Sequence, residues 1–324
     1  MPSHPQLRLN WRGMFSAATF LAATGSILGT VLGFLGARHW FLDLFSHFRV
    51  QYFWALLLLG AWFLFKRKRA WSLPLFALAA INLALILPFY FNKPAPLNHD
   101  TAPLRAMLIN VNNDHGNPQK VIAAVLRHDP DFVVLQELDD AWFDTLAPAL
   151  AEKFPHHEVS LRDDNFGIGL WSRQPFKFAA ILHSGNHHGI PSIIAELETP
   201  CGNLHLLATH PLPPIGRAYS NERDGQLAEF ARRASKTDLP LLLIGDLNAT
   251  PWCAAFKDLL RVSGLQNASQ GRGVFPTWPA FFPAFLRIPI DHVLHTPDIE
   301  IISRITGPRV GSDHLPVIVD FKLP

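Results

Sequence analysis

Three long stretches without a charged residue, all within the first 91 positions of a 324-residue chain, restrict its fold more than anything else in the sequence. Met14 to Ala37 is rich in Ala, Gly and Leu, and a helix needs roughly 20 such residues to cross a hydrocarbon core. Val50 to Phe65 is shorter and carries Tyr52, Phe53, Trp54, Trp62, Phe63 and Phe65, the aromatic ends expected where a helix meets lipid headgroups. Ala70 to Phe91 is the third. A cleavable signal peptide is the alternative for the first run, but two further apolar runs follow and the stretch is long for such a segment. All three are therefore read as transmembrane helices, at about 14–37, 50–65 and 70–91.

Charge divides the chain in the same place. Residues 1–99 hold nine Lys or Arg and one acid, Asp43, whereas residues 100–324 hold 19 basic and 25 acidic residues. The overall charge of +2 hides a basic apolar front and an acidic soluble back. A protein that grips nucleic acid through its phosphates usually presents an excess of Lys and Arg, so the acidic back argues against that class. Lys66, Arg67, Lys68 and Arg69 lie between the second and third spans, and Arg8 and Arg12 precede the first. Three crossings put both groups on one side, which the positive-inside rule makes cytoplasmic. The first loop, His39 to Phe48, and everything after Phe91 are then non-cytoplasmic, and the protein is an integral membrane protein of the inner or plasma membrane.

Asn92 to Pro103 has three prolines, polar residues and no periodicity, and reads as a linker. The expected organisation is an anchor over 1–91, a linker over 92–103 and a catalytic domain over 104–324. Strands are expected at Leu104 to Val111, Asp131 to Leu135, Asn165 to Trp171, Ile290 to Leu294 and Val317 to Phe321, and a hairpin at Ser192 to Glu198 and Asn203 to Thr209. Helices are expected at Gln119 to Arg127, Trp142 to Phe154, Glu222 to Ala234 and Trp252 to Arg261. Leu241 to Ile244, bounded by Gly245, reads as a strand buried on both faces.

Polar residues recur where these apolar strands end: Asn110 and Asn112, Glu137, His210, Asp246 and Asn248, Asp291, then Asp313 with His314. Strand ends gather at one rim. Singly, each has an ordinary role as a turn former, cap or loop residue; their joint recurrence points to a site. Asp246 and Asn248, two apart past a strand end, suit one group that polarises a water and one that donates to an anionic oxygen.

These residues also carry a resemblance. Asn110-Val-Asn112, Gln136-Glu137, Ala208-Thr-His210, Gly245-Asp-Leu-Asn248-Ala-Thr-Pro, Ile290-Asp-His-Val-Leu and Gly311-Ser-Asp313-His314-Leu-Pro resemble, in order, the signature of the endonuclease/exonuclease/phosphatase superfamily, the fold of deoxyribonuclease I. The resemblance spans residues 104–324 and suggests a membrane-anchored, bacterial-type member. It implies an α/β (α+β) architecture: a four-layer sandwich of two mixed β-sheets flanked by helices, here preceded by three transmembrane helices. It also implies hydrolysis of phosphate esters with a divalent cation.

Carried over to these positions, Glu137 becomes the principal metal ligand, with Asn112 and Asp313 completing an all-oxygen set, directly or one bond removed from the ion, that suits Mg²⁺ or Mn²⁺. Asp246 orients and deprotonates the attacking water, while Asn248 and Asn110 hold the nucleophile and a phosphoryl oxygen. Asp291 keeps His314 protonated against the phosphate, and His210 bonds a second phosphate oxygen or serves the leaving group. Asn112 is neutral where some relatives carry an acid, which implies modest metal affinity, and no basic phosphate-binding arm is evident.

Other features have competing readings. His183, His187 and His188 read as exposed loop imidazoles rather than metal ligands. Cys201 and Cys253 fall at opposite ends of the expected sheet, too far apart for a disulfide. Phe281 to Leu286 admits two readings, a cover for the site or a segment dipping into the bilayer surface. For function, the first expectation is a membrane-tethered phosphodiesterase acting outside the cytoplasm on a lipid headgroup or small molecule. The second is a nuclease using Arg217, Arg223, Arg232 and Arg233, although these residues fit equally a solvent-facing helix. The third is a non-catalytic interaction module, against which the intact polar set argues. Beyond the bilayer and a phosphoester substrate, no protein partner is evident.

Overall fold

The computed structural model describes residues 11–183 and 188–324. Arg8, used above for orientation, and His187 of the histidine loop lie outside the described residues. Helix α1 (Trp11–Leu32) continues through a 3-10 turn, Gly33–Arg38, to the short α2 (Trp40–Asp43) and a second 3-10 turn, Leu44–Phe48. Then come α3 (Arg49–Phe65), α4 (Arg69–Ile86) and α5 (Pro88–Phe91). Three stretches, Met14–Arg38, Trp40–Phe65 and Arg69–Phe91, are long and apolar enough to cross a membrane.

The second of these begins well before the expected Val50, and the expected loop His39 to Phe48 is mostly helical. Its polar residues explain the difference. Asp43, Ser46 and His47 are buried, and Asp43 and His47 find partners on the second half of the chain, so helical structure persists where polar residues begin. Between the long helices, close packing and polar contacts supply the cohesion that lipid cannot. Arg49 donates to the Thr30 carbonyl at 2.9 Å, Asn82 to the Thr30 hydroxyl at 3.0 Å and Ser72 to the Gly60 carbonyl at 3.0 Å. Ala23, Leu56, Phe63, Leu75 and Ala79 form the apolar seam.

After Asn92–Pro103, which carries no regular structure apart from a bend, the chain runs β1 (Leu104–Asn110), α6 (Pro118–His128), β2 (Phe132–Gln136), α7 (Asp140–Leu150), β3 (His156–Ser160) and β4 (Ile168–Ser172). It continues with β5 (Phe176–His183), β6 (Pro191–Thr199), β7 (Gly202–Thr209), α8 (Arg217–Ala234), β8 (Leu241–Asp246) and α9 (Ala254–Ser263). The last strands are β9 (Gln266–Asn267), β10 (Asp291–His295), β11 (Glu300–Thr306) and β12 (Val317–Lys322).

Two six-stranded sheets result, ordered β11-β12-β1-β2-β4-β3 and β5-β6-β7-β8-β10-β9. Each is mixed: β1 pairs with β2, and β7 with β8, in parallel, and the other pairings are antiparallel. Their inner faces share one core, with Leu108, Val134 and Leu170 facing the side of Leu206, Ile244 and Val293. On the outside, Val121, Val125, Trp142 and Leu146 of α6 and α7 pack on Met107 and Val133, while Phe230, Phe256 and Leu259 of α8 and α9 pack on Leu207 and Leu243. This is the four-layer sandwich of two mixed sheets flanked by helices.

Strand β8 shows why the centre is rigid. Leu241 to Ile244 are each at most 4% exposed, and burying such a side chain contributes about 1.5–3 kcal/mol. The strand does not stop at Gly245, as expected, but runs to Asp246. A Cβ at Gly245 would overlap the Thr209 carbonyl oxygen, so glycine is what permits the close approach of β7. Besides β8, four expected elements shift an end by two residues or more: α7 stops at Leu150, α8 starts at Arg217, α9 starts at Ala254, and β4 starts at Ile168.

Candidate active site

The two parallel pairs point the same way, so β1, β2, β7 and β8 deliver their C-terminal ends to one rim. Antiparallel β10 starts there, with Asp291 directly opposite Asp246, and the turn before β12 brings in Asp313 and His314. Glu137, His210, Asp246, Asn248, Asp313 and His314 all line one cavity of about 990 Å³. Asn110, Asn112 and Asp291 stand behind them. Asn110 Nδ2 donates to Glu137 Oε1 at 2.8 Å, and Asn112 Nδ2 to Asp313 Oδ1 at 2.7 Å. The Asn110 amide is thus spent on Glu137, while the Asn248 amide donates to the Pro211 carbonyl at 2.9 Å.

Charge is concentrated and organised. His314 Nδ1 is 2.9 Å from Asp291 Oδ2, and its Nε2 is 3.6 Å from Asp246 Oδ2. His210 Nε2 also stands 3.6 Å from Asp246 Oδ2, so Asp246 lies between two imidazoles at ion-contact rather than hydrogen-bond distance. Burial alone would strip the proton from His314, but Asp291 and Asp246 overcome it and raise its pKa to about 10. His210 follows the same logic: burial opposes its charge, yet Asp246 and then Glu137 raise its pKa above the ordinary value. Burial likewise works to raise Asp246, but His314 and His210 hold it below the usual carboxylate range. Burial pushes Glu137 the other way, upward, against His210, the Asn110 bond and His314. Ligand atoms of Asp246, Asp291 and His314 all lie within 4.8 Å of one another, a buried cluster capable of coordinating a divalent metal.

Backbone strain marks the same spot. Glu137, Asn112 and Asn248 have φ of 63°, 54° and 48°. Asparagine tolerates this left-handed region, whereas glutamate gains nothing from it. Glu137 is held there because the chain turns out of β2 under Leu138, whose N–H donates to the Gly167 carbonyl.

Several contributors escaped sequence reasoning. Gln136, fully buried, donates to the Thr209 carbonyl at 2.7 Å and accepts from the Asp246 N–H at 3.0 Å, tying one sheet to the other beneath the site. Trp278 Nε1 donates to Asp313 Oδ2 at 2.9 Å. The motif Gln136-Glu137 includes the first of these, but nothing in it shows that Gln136 ties the two sheets. Arg223, expected to face solvent with its neighbours, is 1% exposed; it donates to the Asn248 carbonyl at 3.0 Å and to Asp43 Oδ2 at 3.2 Å. Asp43 Oδ1 accepts from the Ala254 N–H at 3.1 Å, and His47 Nδ1 from the Thr250 N–H at 3.3 Å. The segment that opens the second apolar span therefore grips both ends of the loop between β8 and α9. Trp40, Leu44, His47 and Phe48 of that segment form one wall of the cavity.

The histidine loop forms no cluster among the described residues: His183 meets the Gly189 carbonyl, and His188 the Glu222 carboxylate at 2.8 Å. Cys201 and Cys253 are both free. Phe281, Phe282, Phe285 and Leu286 remain exposed and do not line the cavity.

A family model described as Endonuclease/Exonuclease/phosphatase family matches residues 107–314. No curated protein matches the chain. Among solved structures it is similar to an endonuclease/exonuclease/phosphatase from Beutenbergia cavernae DSM 12333, at 21% identity over 69% of this chain and 72% of that one, with a TM-score of 0.58. It is also similar to D. rerio TDP2 complexed with a single-strand DNA product, at 19% identity over 68% and 100% of the two chains and a TM-score of 0.58. An endonuclease/exonuclease/phosphatase from Bacteroides vulgatus is comparable, at 19% identity, 69% and 100% coverage and a TM-score of 0.57. These likenesses show the fold.

Proposed function

Because this chain belongs to the endonuclease/exonuclease/phosphatase family and is a hydrolase of phosphate esters, we propose that it is a membrane-tethered, divalent-metal-dependent phosphodiesterase acting on a lipid headgroup or small molecule. The observation that carries this reading is that the polar groups of the rim share one cavity with Trp40, Leu44 and Phe48, which open the second apolar span. The chain runs from that span to the basic turn Lys66–Arg69 and back along the third span to the linker. With the basic turn cytoplasmic, the site works on the other side of the membrane.

The donor chemistry fits a hard cation. Among the described residues Glu137 has one hydrogen bond, through Oε1, and burial of its charge is incompletely offset, which a cation at its other oxygen would relieve. His314 is less suited as a ligand because, against burial, Asp291 and Asp246 keep its ring protonated, with the pKa raised to about 10. Glu137 and Asp313, with the Asn112 amide, would therefore hold Mg²⁺ or Mn²⁺, which when bound supplies charge neutralisation at the phosphate. Asn110 fixes the Glu137 rotamer.

The remaining steps belong to the chain itself. Asp246 stays ionised between His210 and His314, and accepts a proton from the attacking water as its oxygen bonds to phosphorus. The imidazolium of His314 faces the charge that builds on the phosphoryl oxygens. One P–O ester bond breaks, and His210 gives its proton to the departing oxygen. Asn248, pinned by Pro211 and Arg223, positions the loop that borders the water.

The test is hydrolysis by the full-length protein in detergent, with Mg²⁺ or with chelator, of bis-p-nitrophenyl phosphate, phospholipids, plasmid DNA and RNA. Asp246→Asn is expected to lower turnover by at least about 10³-fold without unfolding the chain. Retained activity would remove the water-activating role, and a preference for DNA or RNA would replace this reading with a nuclease.

A further inference from the structure

Beyond the polar floor the cavity lining is largely apolar, with His47, Asp164 and Asn165 among the exceptions. Trp40, Leu44 and Phe48 line it from the start of the second apolar span, and Pro214 and Ile215 line it from the loop between β7 and α8. Ile215 is 72% exposed and Phe48 39%, a poor arrangement for a protein that meets only water. Phe48 directly precedes α3, so this wall continues into the second apolar span without a break.

A second apolar patch lies at the same end of that span. Phe281, Phe282, Phe285 and Leu286 are exposed, and Gln51, in the first turn of α3, donates to the carbonyls of Phe285 at 3.2 Å and Arg287 at 2.8 Å. That bond fixes the patch at the depth where α3 leaves the expected bilayer. Both features therefore lie where acyl chains and headgroups meet. Of the four arginines weighed for a nuclease, Arg223 is buried and Arg233 is paired with Glu229 at 2.8 Å, which leaves Arg217 and Arg232 exposed.

Resting on the phosphodiesterase reading above, we infer that Trp40, Leu44, Phe48 and Ile215 form a binding site for the hydrocarbon chain of a bilayer lipid whose phosphate ester sits on the polar floor. The substrate is then a lipid, taken from the membrane without first dissolving in water. The anchor does more than hold the enzyme near its substrate, because it supplies part of the substrate site.

The experiment uses the full-length protein in mixed micelles and a series of phosphatidylcholines from dibutanoyl to dioctanoyl, with bis-p-nitrophenyl phosphate as the chain-free diester. Each buried methylene contributes enough to raise kcat/KM by roughly three- to fourfold, so a rise of at least about tenfold across the series is expected. In the Leu44→Glu and Ile215→Glu variants the gradient across the series is expected to flatten. Hydrolysis of all diesters at one rate by the unaltered protein overturns the hydrocarbon site and leaves the phosphodiesterase reading standing. Failure to hydrolyse any diester, with Mg²⁺ present and the chain folded, overturns both.

Discussion

Replacing Asp43 tests whether the first apolar segments and the loop between β8 and α9 form one mechanical unit. Asp43 is the only acid in the first 99 residues, and besides its neighbour Ser46 it serves two partners on the second half of the chain. Its pair with Arg223 is buried on both sides, at 6% and 1% side-chain exposure. Removing one member of such a pair costs about 3–5 kcal/mol, because the other charge is left in a medium that cannot solvate it. Arg223 keeps Asp224 at 2.8 Å and the Asn248 carbonyl at 3.0 Å, so the lower end, about 3 kcal/mol, applies. The lost bond to the Ala254 N–H removes a capping interaction of about 1 kcal/mol at the start of α9. Asp43→Ala should therefore weaken the local structure by about 4 kcal/mol, and Asp43→Asn, which keeps an acceptor, by about 3 kcal/mol. Hydrogen–deuterium exchange at the Thr250 and Ala254 amides reads this directly, as protection reduced at least about 100-fold. Because Arg223 also holds the Asn248 carbonyl, kcat should fall by about tenfold or more. Unchanged protection at both amides would refute the clamp, whatever happened to activity.

Gln136→Leu leaves the Thr209 carbonyl and the Asp246 N–H unpaired between the sheets, and denaturant unfolding should report a loss of about 2–4 kcal/mol. Gly245→Ala drives a methyl into the Thr209 carbonyl and should cost about 3 kcal/mol or more by the same assay. Buried His295 is neutral, its pKa lowered by burial to about 4. The unfolded chain, titrating near 6.5, binds a proton first as pH falls, so stability drops between about pH 6.5 and 4, by roughly 2 kcal/mol at pH 5. His295→Asn should remove that component of the pH dependence, seen by comparing unfolding at pH 7 and pH 5.

What could be read from the sequence follows from how each element is buried. The central strands β1, β2, β7 and β8 are hydrophobic on both faces, and their polar terminators stand out against that background. The strands that escaped notice, the two-residue β9 and the longer β3, β5 and β11, are all at sheet edges. His156–Ser160 is only half-buried, and β5 and β11 each carry a register irregularity, so alternation is weak in all three. The nine candidate site residues were legible because strand ends converge by topology. Their partition was not: Asn110 and Asn112 turn their amides toward carboxylates, and only side-chain packing decides that. Arg223 illustrates the harder problem. On a helix rich in charge it reads as one more solvated residue, and the cause of its burial, Asp43, lies on a different element 180 positions away. No local pattern encodes such a pair.

The left-handed backbone at Glu137 has a consequence for how this protein would respond to selection for robustness alone. A glutamate there forgoes on the order of 1 kcal/mol that glycine would recover, and its half-buried carboxylate is pushed upward in pKa by partial burial. Glu137→Gly should then yield a sturdier but inert molecule. On the function proposed above, the less comfortable side chain persists at this position because chemistry, rather than folding, requires it.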